Sequence, residues 1–321
     1  MTKTYKVLMM LFLLLLWGSG LKALDQKDGV YQIGTADDLV AFSELVNGGE
    51  YAASAVLTAD IDLSGISYFP PIGKQHWPQG PLLSFDGIFD GQGHIIYNLR
   101  IEKDDPGAET GLFGRLNGAT IQNLGIVNAT LKNSNALRAG VLGACAVNSK
   151  IINCFTTGNI VTDGCVCSNN YTNGGGLIGL LTSESAISNS YTTYNTLGDD
   201  EYSIIENCYW GQDAIAWAST GELCYRLNGN SFCNTNWYQT IGEDEFPVFD
   251  SAHGVVYPVD GTTYASFQDE ESFKEFQNTV CQAERDIIEN AVATQSILDE
   301  CLATIDKLSS ISKKEEFLAT Y

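Results

Sequence analysis

Positive charge is scarce in this chain: 17 Lys and Arg stand against 39 Asp and Glu, a formal net charge of -22. Such an excess is repelled by phosphate backbones and by anionic lipid surfaces, which argues against nucleic acid and membrane surfaces as partners. It suits solubility in a salty exterior and attraction of basic partners or Ca2+. Histidine is rarer still, and His76, His94 and His253 are too scattered for a metal cluster. No HExxH and no GxSxG occurs, so zinc-protease and nucleophile-elbow signatures are both missing. The 9 cysteines are odd in number and Cys165-Val166-Cys167 is CxC, not CxxC. Disulfides are permitted without a staple pattern, and several thiols suit small core positions. The apolar run from Val7 to Trp17 is too short to span a bilayer. Preceded by Lys3 and Lys6 and followed by Gly18, Ser19, Gly20 and Ala23, it reads as a secretory signal over residues 1–23. No membrane insertion is expected after cleavage, and with Cys145 the first cysteine no lipid anchor is expected either.

What is present is a repeat. Gly111-Leu112-Phe113-Gly114, Gly140-Val141-Leu142-Gly143 and Gly176-Leu177-Ile178-Gly179 share one pattern. Each is followed by an Asn flanked by apolar residues: Asn123, Asn153 and Asn189, with outlying copies at Asn98 and Asn207. The intervals between successive Asn are 25, 30, 36 and 18 residues, so short units recur while their connections vary. Runs such as "ATIQNLGIVNATL" and "SKIINCFTTGNIV" carry Ile, Val and Thr bounded by Gly and Asn, with no helix-length segments between them. The pattern predicts an all-β fold, a right-handed parallel β-helix (β-solenoid) in which each turn covers its neighbour's apolar face. Gly and Asn are then corner residues, structural rather than chemical. "GGGLIG" matches the dinucleotide fingerprint literally, but its sister copies do not and no amphipathic helix follows, so no dinucleotide cofactor is expected.

At these residues the chain resembles the GLUG-motif repeat proteins, exported bacterial surface proteins found especially in gut Bacteroidales. "FDGIFDGQGHIIYNLRI" and the preceding "YQIGTADDLVAFSELVN" are similar to the start of such domains, and Ser219 to Asp250 to their closing segment. The insertions "TDGCVCSNNYTN" and "TLGDDEYS" depart from the family's spacing. The resemblance implies an exported, surface-associated β-helix, commonly discussed as adhesive, and no mapped active site.

Residues 24–82 form the expected cap region. Thr35 is placed to N-cap a helix over "ADDLVAFSELVNGG", with Asp37 and Asp38 in its first turn and Gly48 ending it. Leu39, Phe42, Leu45 and Val46 make its apolar face, suited to covering an open strand. Residues 83–262 hold the repeats and closing segment. Over 263–321 glycine disappears, and Phe273, Val280, Ile287, Thr294, Cys301 and Leu308 recur at intervals of 7, predicting a helical, heptad-like tail. Residues 273–308 would then self-associate, pair with a partner helix or fold back on the β-structure.

Candidate chemistry is thin. Asp86 and Asp90, with Asp60 and Asp62, are the closest carboxylate pairs, and aspartates beside glycine are usually turn-formers. No catalytic residue is assigned, and Ca2+ at Asp86 and Asp90 is the one metal the acidic loops suit. Binding has the better case: Tyr68, Trp77, Tyr209, Trp210 and Trp217 concentrate aromatic faces and amides in loops, as glycan contacts do, although such side chains also simply pack over a core. The expectation is an exported, non-enzymatic, adhesin-like module, secreted or at the cell surface, that binds glycan or a host glycoprotein. The alternatives are a polysaccharide-degrading enzyme and a structural spacer assembled through its C-terminal helix.

Overall fold

A computed structural model describes residues 24–74, 83–102, 108–132, 136–158, 161–163, 174–195, 197–230, 235–258 and 263–267. The chain opens with β1 (Gln26–Lys27) and β2 (Val30–Ile33), an antiparallel pair. Asp28 and Gly29 between them both have positive φ, the backbone of a tight two-residue hairpin. Helix α1 (Ala36–Asn47) follows, where it was expected: Thr35 Oγ1 accepts from the Asp38 amide at 3.2 Å and Gly48 closes the helix. Leu39, Phe42 and Val46 of its apolar stripe are fully buried and Leu45 partly so, and Phe42 packs on Phe85 and Phe89 with centroids 6.1 and 5.9 Å away.

After β3 (Ala55–Leu57) and β4 (Ile61–Asp62), one order of short strands recurs. It runs first as β5 (Ile88–Asp90), β6 (Ile95–Tyr97), β7 (Arg100–Glu102), β8 (Glu109–Thr110) and β9 (Phe113–Asn117). It returns as β10 (Thr120–Val127), β11 (Thr130–Lys132), β12 (Arg138–Gly140) and β13 (Gly143–Val147), and again as β14 (Lys150–Thr157), β15 (Val161–Asp163), β16 (Gly174–Gly175) and β17 (Ile178–Thr182). The last strands of the series are β18 (Ala186–Thr192), β19 (Asp199–Glu201) and β20 (Ile204–Trp210). Helices α2 (Gly211–Thr220) and α3 (Glu222–Leu227) and the antiparallel pair β21 (Val255–Pro258) and β22 (Tyr264–Phe267) complete the described fold.

The single right-handed β-helix expected from the repeats is overturned by the pairing. Among the described residues the strands fall into five separate sheets, of 10, 3, 3, 4 and 2 strands, mixing parallel ladders with antiparallel pairs, and no closed solenoid forms. The repeat strings encode local parallel pairing only. Bends at Gly111 and Leu112 and at Val141 and Leu142 interrupt the ladders, and an antiparallel pair stands at each end of the described chain, β1 with β2 and β21 with β22. The expected helical tail is corrected at its start, because Tyr264–Phe267 is a strand. The heptad positions from Phe273 to Leu308 lie outside the described residues.

Two cores result. One runs between the parallel sheets and is filled by columns such as Ile121, Ile151 and Ile187, which pair in register and are fully buried. The other holds the closing segment against the ten-stranded sheet: Phe155 stacks on Tyr191 with an interplanar angle of 4°, and both meet Trp237. Gly125 pairs with Phe155, which pairs with Tyr191, which pairs with Tyr209, so one column of the sheet makes this second interface. Among the described residues no helix is long and apolar enough to cross a membrane.

Candidate functional site

The asparagines first. Asn123, Asn153, Asn189 and Asn207 all have φ near +50° and stack on neighbouring strands, as their shared pattern predicts. Asn tolerates this left-handed conformation better than most residues. Asn153 Nδ2 donates to Asn123 Oδ1 at 3.0 Å, and Asn207 Nδ2 donates to Asn189 Oδ1 at 2.7 Å. Asp90 sits at the foot: it accepts from Asn123 Nδ2 at 3.0 Å, Gln122 Nε2 at 2.8 Å and both nitrogens of Gln92. Both Asp90 oxygens are thus occupied, and Asp86, exposed, joins no group of three or more metal-ligating side chains among the described residues.

Asn98 stands elsewhere. Tyr97 pairs with Val127, so Asn98 lies over Asn128, at a different bend from Asn123. The glycine columns are also shifted by one residue: Gly140 pairs with Gly175, not Gly176, and Gly143 pairs with Phe113 and Ile178, leaving Gly114 and Gly179 one place further on. A side chain at Gly111 would strike the Gly140 carbonyl, and one at Gly140 the Gly179 amide, so the backbones themselves fill these places.

The Asn98 bend carries a polar groove of about 490 Å³, lined by Leu63, Ser64, Asn98, Leu99, Arg100, Asn128 and Thr130. β7 and β11 form its wall, with Arg100 opposite Thr130 and Glu102 opposite Lys132. Asn98 Nδ2 donates to Asp62 Oδ1 at 2.8 Å, and the Ser64 amide and hydroxyl both donate to Asp62. The Asn98 amide, followed by Ser64, holds the Asp62 carboxyl below its usual range. Lys132, 3.1 Å from Glu102, and Arg100, 2.7 Å from it, likewise hold Glu102 low. Beside these, His94 Nδ1 meets Asp60 Oδ1 at 3.0 Å. Amide, hydroxyl, guanidinium and carboxylate groups thus converge at an accessible surface, the inventory that reads a hydroxyl-rich ligand.

The aromatic candidates divide. Tyr209 and Trp217 pack edge to face at 5.5 Å, with the Arg226 guanidinium 4.4 Å from the Trp217 ring and the Tyr209 hydroxyl donating to Asn207 Oδ1 at 2.6 Å. They are occupied by the α2–α3 closure. Trp210 is 43% exposed, Tyr68 is half-buried against the main core, and Trp77 lies outside the described residues.

One buried cluster was not foreseen. Glu109 is 0% exposed, and its Oε1 accepts from Arg115 at 3.0 Å and Arg138 at 3.1 Å, while Oε2 has no hydrogen-bond partner. Burial outweighs the two guanidinium groups and pushes this carboxyl up. Burial also pushes the neighbouring Cys145 thiol to about 11, far from a reactive thiolate. The signal was present in the sequence only as an acid and a base 29 residues apart, at positions that become directly paired.

Taken together these features describe a polar surface groove on stacked parallel strands. No family model matches the chain. It is 34% identical over 177 residues to Halomucin of Haloquadratum walsbyi, an alignment covering 52% of this chain and 2% of that protein's length. A solved structure from Bacteroides ovatus, provisionally named an immunoglobulin A1 protease, shares 23% identity over 57% of each chain with a TM-score of 0.44, too slight a likeness to carry an argument.

Proposed function

We propose that this protein is an exported interaction module, adhesin-like and secreted or held at the cell surface, that binds glycan or a host glycoprotein through the Asn98 groove. The observation that carries this reading is the convergence of Asn98, Asn128, Ser64, Thr130 and Arg100 on one accessible groove. The resemblance to GLUG-motif proteins and the N-terminal export signal support the location, and the similarity to Halomucin accords with them. The test is retention of the chain on a panel of mucin, plant and bacterial polysaccharides, with polymer size read afterwards. Arg100→Ala removes a charged donor worth about 1.5–3 kcal/mol, so affinity should fall about tenfold to a hundredfold, and Thr130→Val should weaken it less. Undiminished retention by both variants would remove the groove from the proposal.

A second reading, a polysaccharide-degrading enzyme, draws on Glu109, the buried carboxyl pushed up as a general acid requires. Hydrolysis of a glycoside needs a second carboxyl at roughly 5–9.5 Å, and no other carboxylate joins the Glu109 cluster among the described hydrogen bonds and ion pairs. Shortening of any polymer in the same panel, abolished by Glu109→Gln, would favour this reading over binding alone.

A further inference from the structure

The stacked strands end differently at their two sides. At the first, α1 covers the opening sheets with Leu39, Phe42 and Val46, all fully buried. At the other, β19 and β20 are the outermost strands of their sheets, with no strand beyond them among the described residues. The inner column shows the consequence: Ile121, Ile151 and Ile187 are 0% exposed, whereas Ile205, next in the same register, is 36% exposed. Ile204 and Tyr202 beside it are 54% and 92% exposed. The second half of β20 is covered, since Asn207 Nδ2 donates to the Leu227 carbonyl at the end of α3. The bare stretch is therefore Tyr202 to Glu206. Ile204 N donates inward to Ser185 O at 2.9 Å, so by strand alternation the Ile205 amide and carbonyl face away from the sheet.

Natural proteins usually protect such an edge with lysine, proline or a covering segment. This one carries acids instead: Asp200 and Glu206 are exposed, Asp199 and Glu201 complete β19, and no Lys or Arg lies between Leu197 and Trp210. A second copy meeting the edge about a two-fold axis would set acid against acid. The segment after Phe267 also holds more acidic than basic residues, so it complements the rim no better.

We propose that the Tyr202–Glu206 edge docks an extended, cationic segment of a partner protein, which adds to β20 as a further strand. Its backbone would pair with Ile205, its alternate apolar side chains would fall in register with Ile205, and its Lys or Arg side chains would face Asp200 and Glu206. The test uses the whole chain from Leu24 onward and three fluorescent peptides of alternating Val with Lys, Thr or Glu, read by anisotropy. The Val-Lys peptide should bind best, with affinity falling as salt rises. Ile205→Pro removes the outward donor without touching the ladder to β18 and should weaken binding at least tenfold. Asp200→Lys with Glu206→Lys should transfer the preference to the Val-Glu peptide. Equal binding by the wild type and Ile205→Pro would mean mere attraction to the net charge and would overturn the proposal. So would an Ile205 amide protected from hydrogen exchange without peptide: concentration-dependent protection would give the edge to a second copy, and concentration-independent protection to the chain itself.

Discussion

Gly125 is the point at which the sheet makes room for the closing segment, and replacing it tests how that segment is held. A Cβ built at Gly125 comes within 2.5 Å of Phe155 Cε1, about an ångström inside ordinary contact. The ring has nowhere to go: it stacks on Tyr191 at 5.3 Å and meets Trp237 at 5.9 Å and Phe249 at 5.4 Å. Gly125→Ala should therefore cost about 1–3 kcal/mol through overpacking. Phe155→Ala should cost about 3–5 kcal/mol through the cavity it leaves. In the double variant the new methyl enters space the ring has vacated, so the two losses should fall short of their sum by about 1–3 kcal/mol. Differential calorimetry reads this directly, since each kcal/mol moves Tm by about 2–4 °C in a domain of this size. Strict additivity, or a Gly125→Ala protein with unchanged Tm, would refute the view that this glycine exists to seat the ring.

Other outcomes follow from the same geometry. Asn153→Gly keeps the left-handed backbone and loses one amide bond, so urea unfolding should show a loss of about 0.5–1.5 kcal/mol; Asn153→Ala should lose about 1–2 kcal/mol more because Ala must also adopt φ 51°. Glu109 has its folded pKa raised by burial, so its contribution is fully present below the ordinary glutamate value and is lost as pH rises through the window up to the raised value. Glu109→Gln should flatten that fall when stability is measured across mildly acidic to neutral pH; an unchanged slope would assign it to other groups. Burial pushes the thiols of Cys154 and Cys208 to about 12 and that of Cys224 higher still. Timed alkylation at pH 8, with peptide mapping, should leave these three unmodified in the folded protein and modify all of them in denaturant.

The sequence announced some of this and concealed the rest for identifiable reasons. Asn123, Asn153, Asn189 and Asn207 were legible as one column because each sits at the same place in a strand-forming string. Asn98 sits in a similar string yet occupies another bend, since "DGQG" around Asp90 supplies the turn opposite Asn123. A local motif reports that a bend occurs, not which bend it is. The same limit explains the over-extension to one continuous β-helix: parallel pairing is local, whereas sheet closure depends on connections the repeat does not encode. The hairpin at Asp28 and Gly29 carried an ordinary Asp-Gly signal that the repeat pattern obscured. Trp237, fully buried, gave no periodic signal, because it belongs to a loop that packs on a sheet face. The Glu109 cluster could emerge only once β8 and β12 were in register.

The asparagine column has one further consequence. Neighbours in it are separated by 30, 36 or 18 positions in the chain, yet each step advances the stack by the same strand spacing, about 4.8 Å. Height is fixed by the column and is indifferent to how much chain is spent between its members. Surface loops can therefore lengthen, shorten or be exchanged without altering the rise of the scaffold, so this architecture can acquire a new recognition surface while the asparagines keep count.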